Sequence, residues 1–293
     1  MSEASAEILK KIRHIQITTT HLADDMMAGA WHSAFKGQGM EFEEVREYQT
    51  GDDIRSIDWN VTARMDHPYV KVFGEERELT VFLVVDVSAS SRFGGSHQLK
   101  RELIAEVGAV LAFSAIKNND NVGLILFSSE IEKYIPPKKG TRHVLRCIRE
   151  LLAFEPQSRG TNLGHALEFL GTVQRKKAIC FLLSDFLCPL PEESLSVIAK
   201  HHDLIAISFR DPYEQDLPNL SLVTLEDLET GIQASIDTGN AKMVEGYQKR
   251  SQEHLELLDT IMKKIRAGVI HLSTDSSYLK PMRKFFKQRE VRH

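Results

Sequence analysis

The sequence predicts a doubly wound α/β domain with a mostly parallel sheet, preceded by an N-terminal accessory segment. From residue 79 onward, short apolar runs alternate with amphipathic stretches of helical period. Such alternation implies right-handed crossovers, which bury both faces of a parallel sheet. The 293 residues are 42% hydrophobic and 27% charged, an ordinary composition for a globular protein. We place the accessory segment at residues 1–75 and the α/β domain at residues 76–293.

We predict a mixture of helices and extended segments for residues 1–75. Helices are expected near Ala4–His14 and Leu22–Ala30, ahead of the glycine-containing turn "FKGQGMEF". Extended segments are expected around Phe42–Tyr48 and Tyr69–Phe73. This part of the chain lacks the regular alternation that follows it, and for that reason we treat it as an accessory segment.

The α/β domain is predicted from its apolar runs. The parallel strands are expected at Thr80–Val85, Val122–Phe127, Ala178–Ser184 and Leu204–Phe209. The helices between them are expected at Leu99–Lys117, Arg142–Ala153, Leu163–Val173 and Glu192–Lys200. The alternating stretch "EIEKYIPP" predicts an antiparallel edge strand, because proline cannot donate to a central ladder. The predicted elements end with a hairpin in residues 220–237, a long helix at Ala241–Ala267, a strand "GVIHLS" and a closing helix or turn.

Composition excludes several classes of function. The net charge of −4, from 37 basic and 41 acidic residues, gives no reason to expect nucleic-acid binding or an anionic membrane as partner. No apolar stretch approaches the roughly 18 residues of a membrane span, and the N-terminus has no signal-peptide apolar region. The three cysteines have unrelated spacings, as expected for reduced thiols. We therefore expect a cytoplasmic protein.

Oxygen-bearing side chains follow two of the predicted buried strands. Asp86 ends "VFLVVD", with Ser88 and Ser90 directly after it, and Asp185 ends "CFLLSD". Thr161 lies between them in a Gly-Thr loop before a helix. Ligands of open parallel sheets bind beyond the carboxyl ends of strands, so these side chains are expected to converge. Carboxylates and hydroxyls are hard donors that suit Mg²⁺ or Mn²⁺. Lys138 is expected at the rim of this face.

The order of these residues resembles a known metal site. D-x-S-x-S after a buried strand, then a Gly-Thr loop, then a strand ending in Ser-Asp, is similar to the metal-ion-dependent adhesion site of von Willebrand factor type A domains. Its five positions are matched in order by Asp86, Ser88, Ser90, Thr161 and Asp185. The resemblance implies that a carboxylate of another protein completes the coordination of the metal ion.

A longer stretch resembles a bacterial family with this type of domain, catalogued as domain of unknown function fifty-eight. It is "GQGMEFEEVREYQTGDDIRSIDWNVTARMDHPYVKVFGEERELTVFLVVDVSAS". Within it, Y-Q-x-G-D-D-x-R-x-I-D-W-N is the most specific element. The resemblance extends over nearly the whole chain and implies a partner, a MoxR-type AAA+ ATPase, acting on protein clients. Many relatives carry membrane spans, whereas this chain does not.

Alternatives to metal binding and to a partner surface remain open. Thr161 could cap the following helix in a sheet that binds no metal. The element "TGDDIRSIDW" could be a partner surface built from Asp52, Asp53, Arg55, Asp58 and Trp59. It could equally be a Gly51 turn with an Asp helix cap, an Arg–Asp pair and a packed Trp.

Catalysis is the weaker prediction. A haloacid dehalogenase-type phosphatase needs D-x-D, and Ser88 stands where its second Asp would act as general acid. The chain has no G-x-S-x-G elbow and no G-x-x-x-x-G-K-[ST] loop. We therefore predict a non-enzymatic, metal-dependent protein-interaction module, with a metal-independent scaffold or a metal-dependent hydrolase as alternatives.

Overall fold

Strands and helices alternate along the part of the chain that the computed structural model describes, residues 35, 40–65, 67–75, 78–95, 98–217 and 220–290. The helices expected at Ala4–His14 and Leu22–Ala30 lie outside these residues. The strands are β1 (Met40–Glu47), β2 (Tyr69–Glu75), β3 (Thr80–Asp86), β4 (Asn121–Phe127), β5 (Ile131–Lys138), β6 (Ile179–Ser184), β7 (Asp203–Arg210), β8 (Leu222–Glu226), β9 (Gln233–Asp237) and β10 (Gly268–Ser273). The α-helices are α1 (Trp59–Thr62), α2 (Lys100–Lys117), α3 (Thr141–Ala153), α4 (Leu163–Val173), α5 (Glu192–His201), α6 (Pro212–Gln215), α7 (Ala241–Lys264) and α8 (Leu279–Glu290).

A six-stranded sheet organises the domain in the order β10-β7-β6-β3-β4-β5. Strand β3 pairs in parallel with both β4 and β6, and β7 pairs in parallel with β6 and β10. Strand β5 pairs antiparallel with β4 at the edge, which confirms the prediction from its two prolines. The fold class predicted from the alternating pattern, a doubly wound mostly parallel α/β sheet, is confirmed.

Helices cover both faces of this sheet. Alternate residues of β3 point to opposite faces, so Val81, Leu83 and Val85 pack in one core with residues of α2, α3 and α8. Phe82 and Val84 pack in a second core with residues of α4, α5 and α7. Burial on both faces explains why the parallel strands are continuous apolar runs rather than alternating ones.

The position of β3 creates a crevice at one edge of the sheet. The chain leaves β3 towards β4 on one side, and after β5 it returns to β6 on the other side of β3. The connections that follow β3 and β6 therefore diverge, which opens a crevice between the carboxyl ends of these two strands. Asp86 is the last residue of β3, and Asp185 directly follows β6.

Smaller elements flank the sheet. The two extended segments expected before residue 75 correspond to strands β1 and β2. These two strands pair antiparallel with each other. Strands β8 and β9 form the hairpin expected in residues 220–237. The C-terminal stretch, expected as a helix or a turn, forms helix α8. The domain boundary at residue 75 stays a prediction.

Candidate functional site

The loop after β3 is fixed by hydrogen bonds to the Asp86 carboxylate, which is buried. The backbone N–H of Ser88 donates to Oδ1 of Asp86 (2.9 Å), and the hydroxyl of Ser184 donates to Oδ2 (2.6 Å). The Oγ atoms of Ser88 and Ser90 are 3.0 Å apart. Asp86 and the two serines predicted from D-x-S-x-S therefore lie together at the carboxyl end of β3.

Asp185 lies at the end of the neighbouring strand and holds a buried ion pair. The ammonium of Lys100, at the start of helix α2, lies 2.6 Å from Asp185 Oδ2 and 2.6 Å from Glu214 Oε1. Lys100 is completely buried. Asp185 Oδ1 accepts a hydrogen bond from the backbone N–H of Leu187 (3.1 Å), which fixes the loop after β6. Sequence reasoning missed Lys100 and Glu214, because neither belongs to a motif and both approach Asp185 only through the fold.

The loop that carries Thr161 is tied to the same edge of the sheet. The backbone N–H of Ala89 donates to the carbonyl of Arg159 (2.9 Å). Helix α4 is capped by Asn162, whose side chain accepts from the N–H of His165 (3.1 Å). The hydroxyl of Thr161 instead donates to Glu229 Oε1 (2.7 Å). The alternative that Thr161 is the helix cap is therefore wrong.

The pKa values of Asp86 and Asp185 shift in opposite directions, because among the described residues a cation lies beside Asp185 but not beside Asp86. Burial, together with the charge of Asp185, raises the pKa of Asp86 to about 7. Burial would also raise the pKa of Asp185, but the charge and the hydrogen bond of Lys100 outweigh it, so the pKa of Asp185 is lowered. Asp86 thus lacks a compensating positive charge on the side where the hydroxyls gather.

This donor set fits a hard divalent cation. It comprises two carboxylates and three hydroxyls, the oxygen ligands that Mg²⁺ and Mn²⁺ prefer. A cation near Asp86 would counteract the burial and the charge of Asp185 that raise the pKa of Asp86. Burial, with the charges of Asp86 and Asp185, raises the pKa of Cys188 to about 12, so this nearby thiol stays protonated and is a poor ligand. Within the described ranges, no group of three or more His, Cys, Asp or Glu side chains is placed to hold a metal ion.

Beside these oxygens lies a crevice of about 450 Å³. Ser90 and Leu187 line it on the side of the sheet, Glu229 on the hairpin side, and Tyr247 and Arg250 on helix α7. Its walls are both apolar and charged, as in a surface that receives a protein side chain. The crevice opens next to the proposed ligands.

Lys138 does not belong to this face. It ends β5, which runs antiparallel, and it pairs with Val122 near the beginning of β4. It therefore lies at the edge of the sheet opposite to Asp86, and its expected place at the rim is wrong. The error arose because β5 reverses direction after the tight turn that follows β4.

The Asp52–Trp59 element has the local structure of an ordered loop. Asp52 forms a bidentate pair with Arg46 (2.8 and 2.7 Å), and Asp53 and Asp58 cap short helices. Trp59, however, is 66% exposed, so the expected packing of this ring is absent. The partner-surface interpretation stays a prediction.

Fold and site together define a doubly wound α/β protein with an oxygen-rich crevice at the carboxyl ends of β3 and β6. The chain belongs to the family described as "Protein of unknown function DUF58", whose profile matches residues 44–257. The family predicted from "YQTGDDIRSIDWN" is thereby confirmed.

Proteins similar to this chain include two from bacteria. The chain is 29% identical over 283 residues to the uncharacterized protein Rv1480 of Mycobacterium tuberculosis, covering 95% of this chain and 88% of that protein. It is 30% identical over 107 residues to the uncharacterized protein YeaD of Bacillus subtilis, covering 36% of this chain and 25% of that protein.

Three solved structures similar to this chain have low sequence identity to it. BatB from Bacteroides thetaiotaomicron has 14% identity and a TM-score of 0.45, covering 73% of this chain and 100% of that chain. A von Willebrand factor type A protein from Catenulispora acidiphila has 9% identity and a TM-score of 0.40, covering 76% of this chain and 43% of that chain. Manganese-loaded TRAP protein of Plasmodium vivax has 19% identity and a TM-score of 0.32, covering 45% of this chain and 57% of that chain. The fold class rests on the strand order of the sheet itself.

A search of the described helices for a membrane span found none that is long and apolar enough to cross a bilayer. The longest of them, α7, has charged residues throughout its length. The expectation of a cytoplasmic location stays a prediction.

Proposed function

We propose that this protein is a non-enzymatic, metal-dependent protein-interaction module. The observation that carries the proposal is the gathering of two carboxylates and three hydroxyls at one edge of the sheet, where no cationic side chain of the described ranges contributes to the pKa of the buried Asp86. Asp86, Ser88, Ser90, Thr161 and Asp185 would hold Mg²⁺ or Mn²⁺. The bound ion would supply an electrophilic centre for the Asp or Glu side chain of a partner.

The chain's own residues would prepare this face for binding. Ser184 and the Ser88 N–H fix the orientation of the Asp86 carboxylate. Lys100 neutralises Asp185, which leaves the metal ion with more net positive charge for an incoming carboxylate. The adjoining crevice would exclude water from part of the contact and so strengthen the electrostatic interaction.

We further propose that the partner is a MoxR-type AAA+ ATPase, or a protein client of that ATPase. The support is family membership and the absence from the sequence of a phosphate-binding loop of its own. In such a pair the ATPase would supply nucleotide hydrolysis, and this protein would supply the metal-dependent contact.

Metal binding is tested by unfolding with MgCl₂ or EDTA. Mg²⁺ at about 100 times its dissociation constant should raise the free energy of unfolding by about 2.7 kcal/mol. Asp86→Asn and Ser90→Ala should each remove most of this gain. Ser91→Ala is the matched control, because the Ser91 hydroxyl donates to the carbonyl of Ser88 and is not a proposed ligand. A gain that persists in Asp86→Asn would contradict the assigned site.

Lys100 favours one competing function, a scaffold that needs no metal. Its ammonium contacts both Asp185 and Glu214, as expected for a structural ion-pair network. The scaffold function predicts that binding to the cognate ATPase, measured by biolayer interferometry, is the same in Mg²⁺ and in EDTA. The metal-dependent function predicts loss in EDTA and recovery with Mg²⁺. It also predicts a milder loss in Thr161→Ala than in Asp86→Ala, because Thr161 is a neutral ligand.

A further inference from the structure

The turn of the β8–β9 hairpin brings a third carboxylate to the proposed metal site. Glu229 Oε1 accepts a hydrogen bond from the Thr161 hydroxyl at 2.7 Å, although the two residues are 68 positions apart. A Cβ built on Gly160 would lie 3.9 Å from Glu229 Oε2, so both carboxylate oxygens lie against this loop. One of the five proposed ligands is thus already in contact with an acidic side chain of the same chain.

The hairpin turn is constructed to hold Glu229 in this place. Asp227 Oδ1 accepts from the N–H groups of Glu229 (2.9 Å) and Thr230 (3.3 Å), and Asp227 Oδ2 accepts from the Thr230 hydroxyl (2.7 Å). Gly231 has a φ of +73°, a left-handed conformation that favours glycine. The backbone of the turn is therefore fixed by its own hydrogen bonds, and Glu229 is directed at the Thr161 loop.

Glu229 also shares the electrostatic surroundings of the two site aspartates. The Cys188 thiol is subject to the charges of Asp86, Asp185 and Glu229, in that order of strength, in addition to its burial. Three carboxylates on three different connections thus act on one buried group. Glu229 also lines the same crevice as Ser90, one of the proposed ligands, so the Glu229 carboxylate lies at this edge of the sheet.

The hairpin itself is weakly held by the rest of the domain. Strands β8 and β9 pair with each other in a separate two-stranded sheet, and most of their residues are exposed. Leu225 and Leu228 face the crevice of about 450 Å³ that separates the hairpin from helix α7. An element with few buried apolar contacts opens at a lower free energy than the core.

We propose that Glu229 becomes a further metal ligand when the ion binds, and that it then holds the position a partner's acidic side chain takes. In the structure, Glu229 is hydrogen-bonded to Thr161, and the acidic side chains of the described residues are not yet grouped around an ion. The hairpin turn then closes the metal face in the free protein, and a partner binds by displacing Glu229. This inference rests on the proposed function, because it requires a metal ion at Asp86, Ser88, Ser90, Thr161 and Asp185. It adds a regulatory feature, an internal carboxylate that competes with the partner for the same ion.

The test uses Mn²⁺ as probe, with two measurements on the full chain. Calorimetry gives the affinity, and the relaxation rate of water protons reports how many water molecules coordinate the bound Mn²⁺. Glu229→Ala should weaken Mn²⁺ binding by roughly tenfold. It should also raise the relaxation enhancement per bound ion, because water replaces the carboxylate. Acetate, added as a simple carboxylate, should lower this enhancement in Glu229→Ala and leave the wild type unchanged.

Glu226→Ala is the matched control, because Glu226 lies in the same hairpin and lines the same crevice but bonds to Gln233. It should change Mn²⁺ affinity by less than about twofold, as expected for a charge outside the coordination sphere. Equal relaxation enhancement in the wild type and Glu229→Ala would overturn the role of Glu229 while leaving the metal site intact. Failure of the wild type to bind Mn²⁺ would overturn the proposed function, and the inference with it.

Discussion

Asp86 ends β3 and Asp185 directly follows the neighbouring strand β6, yet the pKa values of the two carboxyl groups shift in opposite directions. Burial and the neighbouring charge of Asp185 raise the pKa of Asp86 to about 7. Burial acts on Asp185 as well, but Lys100 at 2.6 Å lowers its pKa overall. The ammonium of Lys100 therefore accounts for the opposite directions of the two pKa shifts.

The raised pKa of Asp86 predicts that the metal-free protein loses stability as the pH rises. Between the ordinary pKa of an aspartate, 3.8, and the raised pKa of about 7, the folded protein retains a proton on Asp86 that the unfolded chain has released. Stability therefore falls across this window. Asp86→Asn should remove this loss and, in EDTA, be more stable than wild type at pH 8 by on the order of 2–4 kcal/mol.

The measurement is urea unfolding in EDTA at pH 4.5 and pH 8, where the advantage of Asp86→Asn should appear only at the higher pH. Asp216→Asn, a change to an exposed carboxylate, controls for the removal of one acidic group. It should give nearly the same difference from wild type at both pH values. A pH-independent effect of Asp86→Asn would contradict the prediction.

At the scale of elements, the central pair β3–β4 depends on a glycine. Gly123 in β4 lies opposite Phe82 in β3, and a Cβ on Gly123 would lie 2.6 Å from the Phe82 ring. Phe82 is completely buried and belongs to the second core. The absence of a side chain at Gly123 therefore allows this ring to occupy the space above the neighbouring strand.

Gly123→Ala should therefore destabilise the protein by about 1–3 kcal/mol, because the ring or the strand must shift. Gly171→Ala in α4 is the control: its Cβ would lie 3.5 Å from Ile198 Cδ1, an ordinary contact. Alanine in a helix should stabilise by about 0.5–1 kcal/mol relative to glycine. Urea midpoints of both variants test this, and equal effects would refute the steric explanation.

At the scale of the whole molecule, the N-terminal part of the chain contributes to the core of the sheet domain. Phe35 is buried and contacts Phe181 of β6 and Phe286 of α8 edge-on, with ring centroids 6.3 and 5.9 Å apart. The guanidinium of Arg289 lies over the Phe35 ring at 5.1 Å. The segment before the predicted boundary at residue 75 is therefore coupled energetically to the sheet through this ring.

Phe35→Ala should destabilise the main unfolding transition by about 3 kcal/mol, through lost burial and the cavity left between β6 and α8. Ile54→Ala serves as control, because Ile54 belongs to the same part of the chain and is 65% exposed. It should change stability by less than about 0.5 kcal/mol. If Phe35→Ala leaves the main transition unchanged, residues 1–75 fold independently of the sheet.

The amino-acid sequence alone determined the strands, the helices between them and the placement of Asp86 and Asp185 at the ends of two buried strands. These features are local: an apolar run buried on both faces ends where polar residues begin, and parallel strands bring such ends to one edge. Only the tertiary structure determined where the side chains of four further residues lie: Lys100, Glu214, Glu229 and Phe35. Their contacts join residues 68 or more positions apart, as for Thr161 and Glu229 or Lys100 and Asp185. Such contacts depend on how helices and hairpins pack on the sheet, which no spacing in the sequence records.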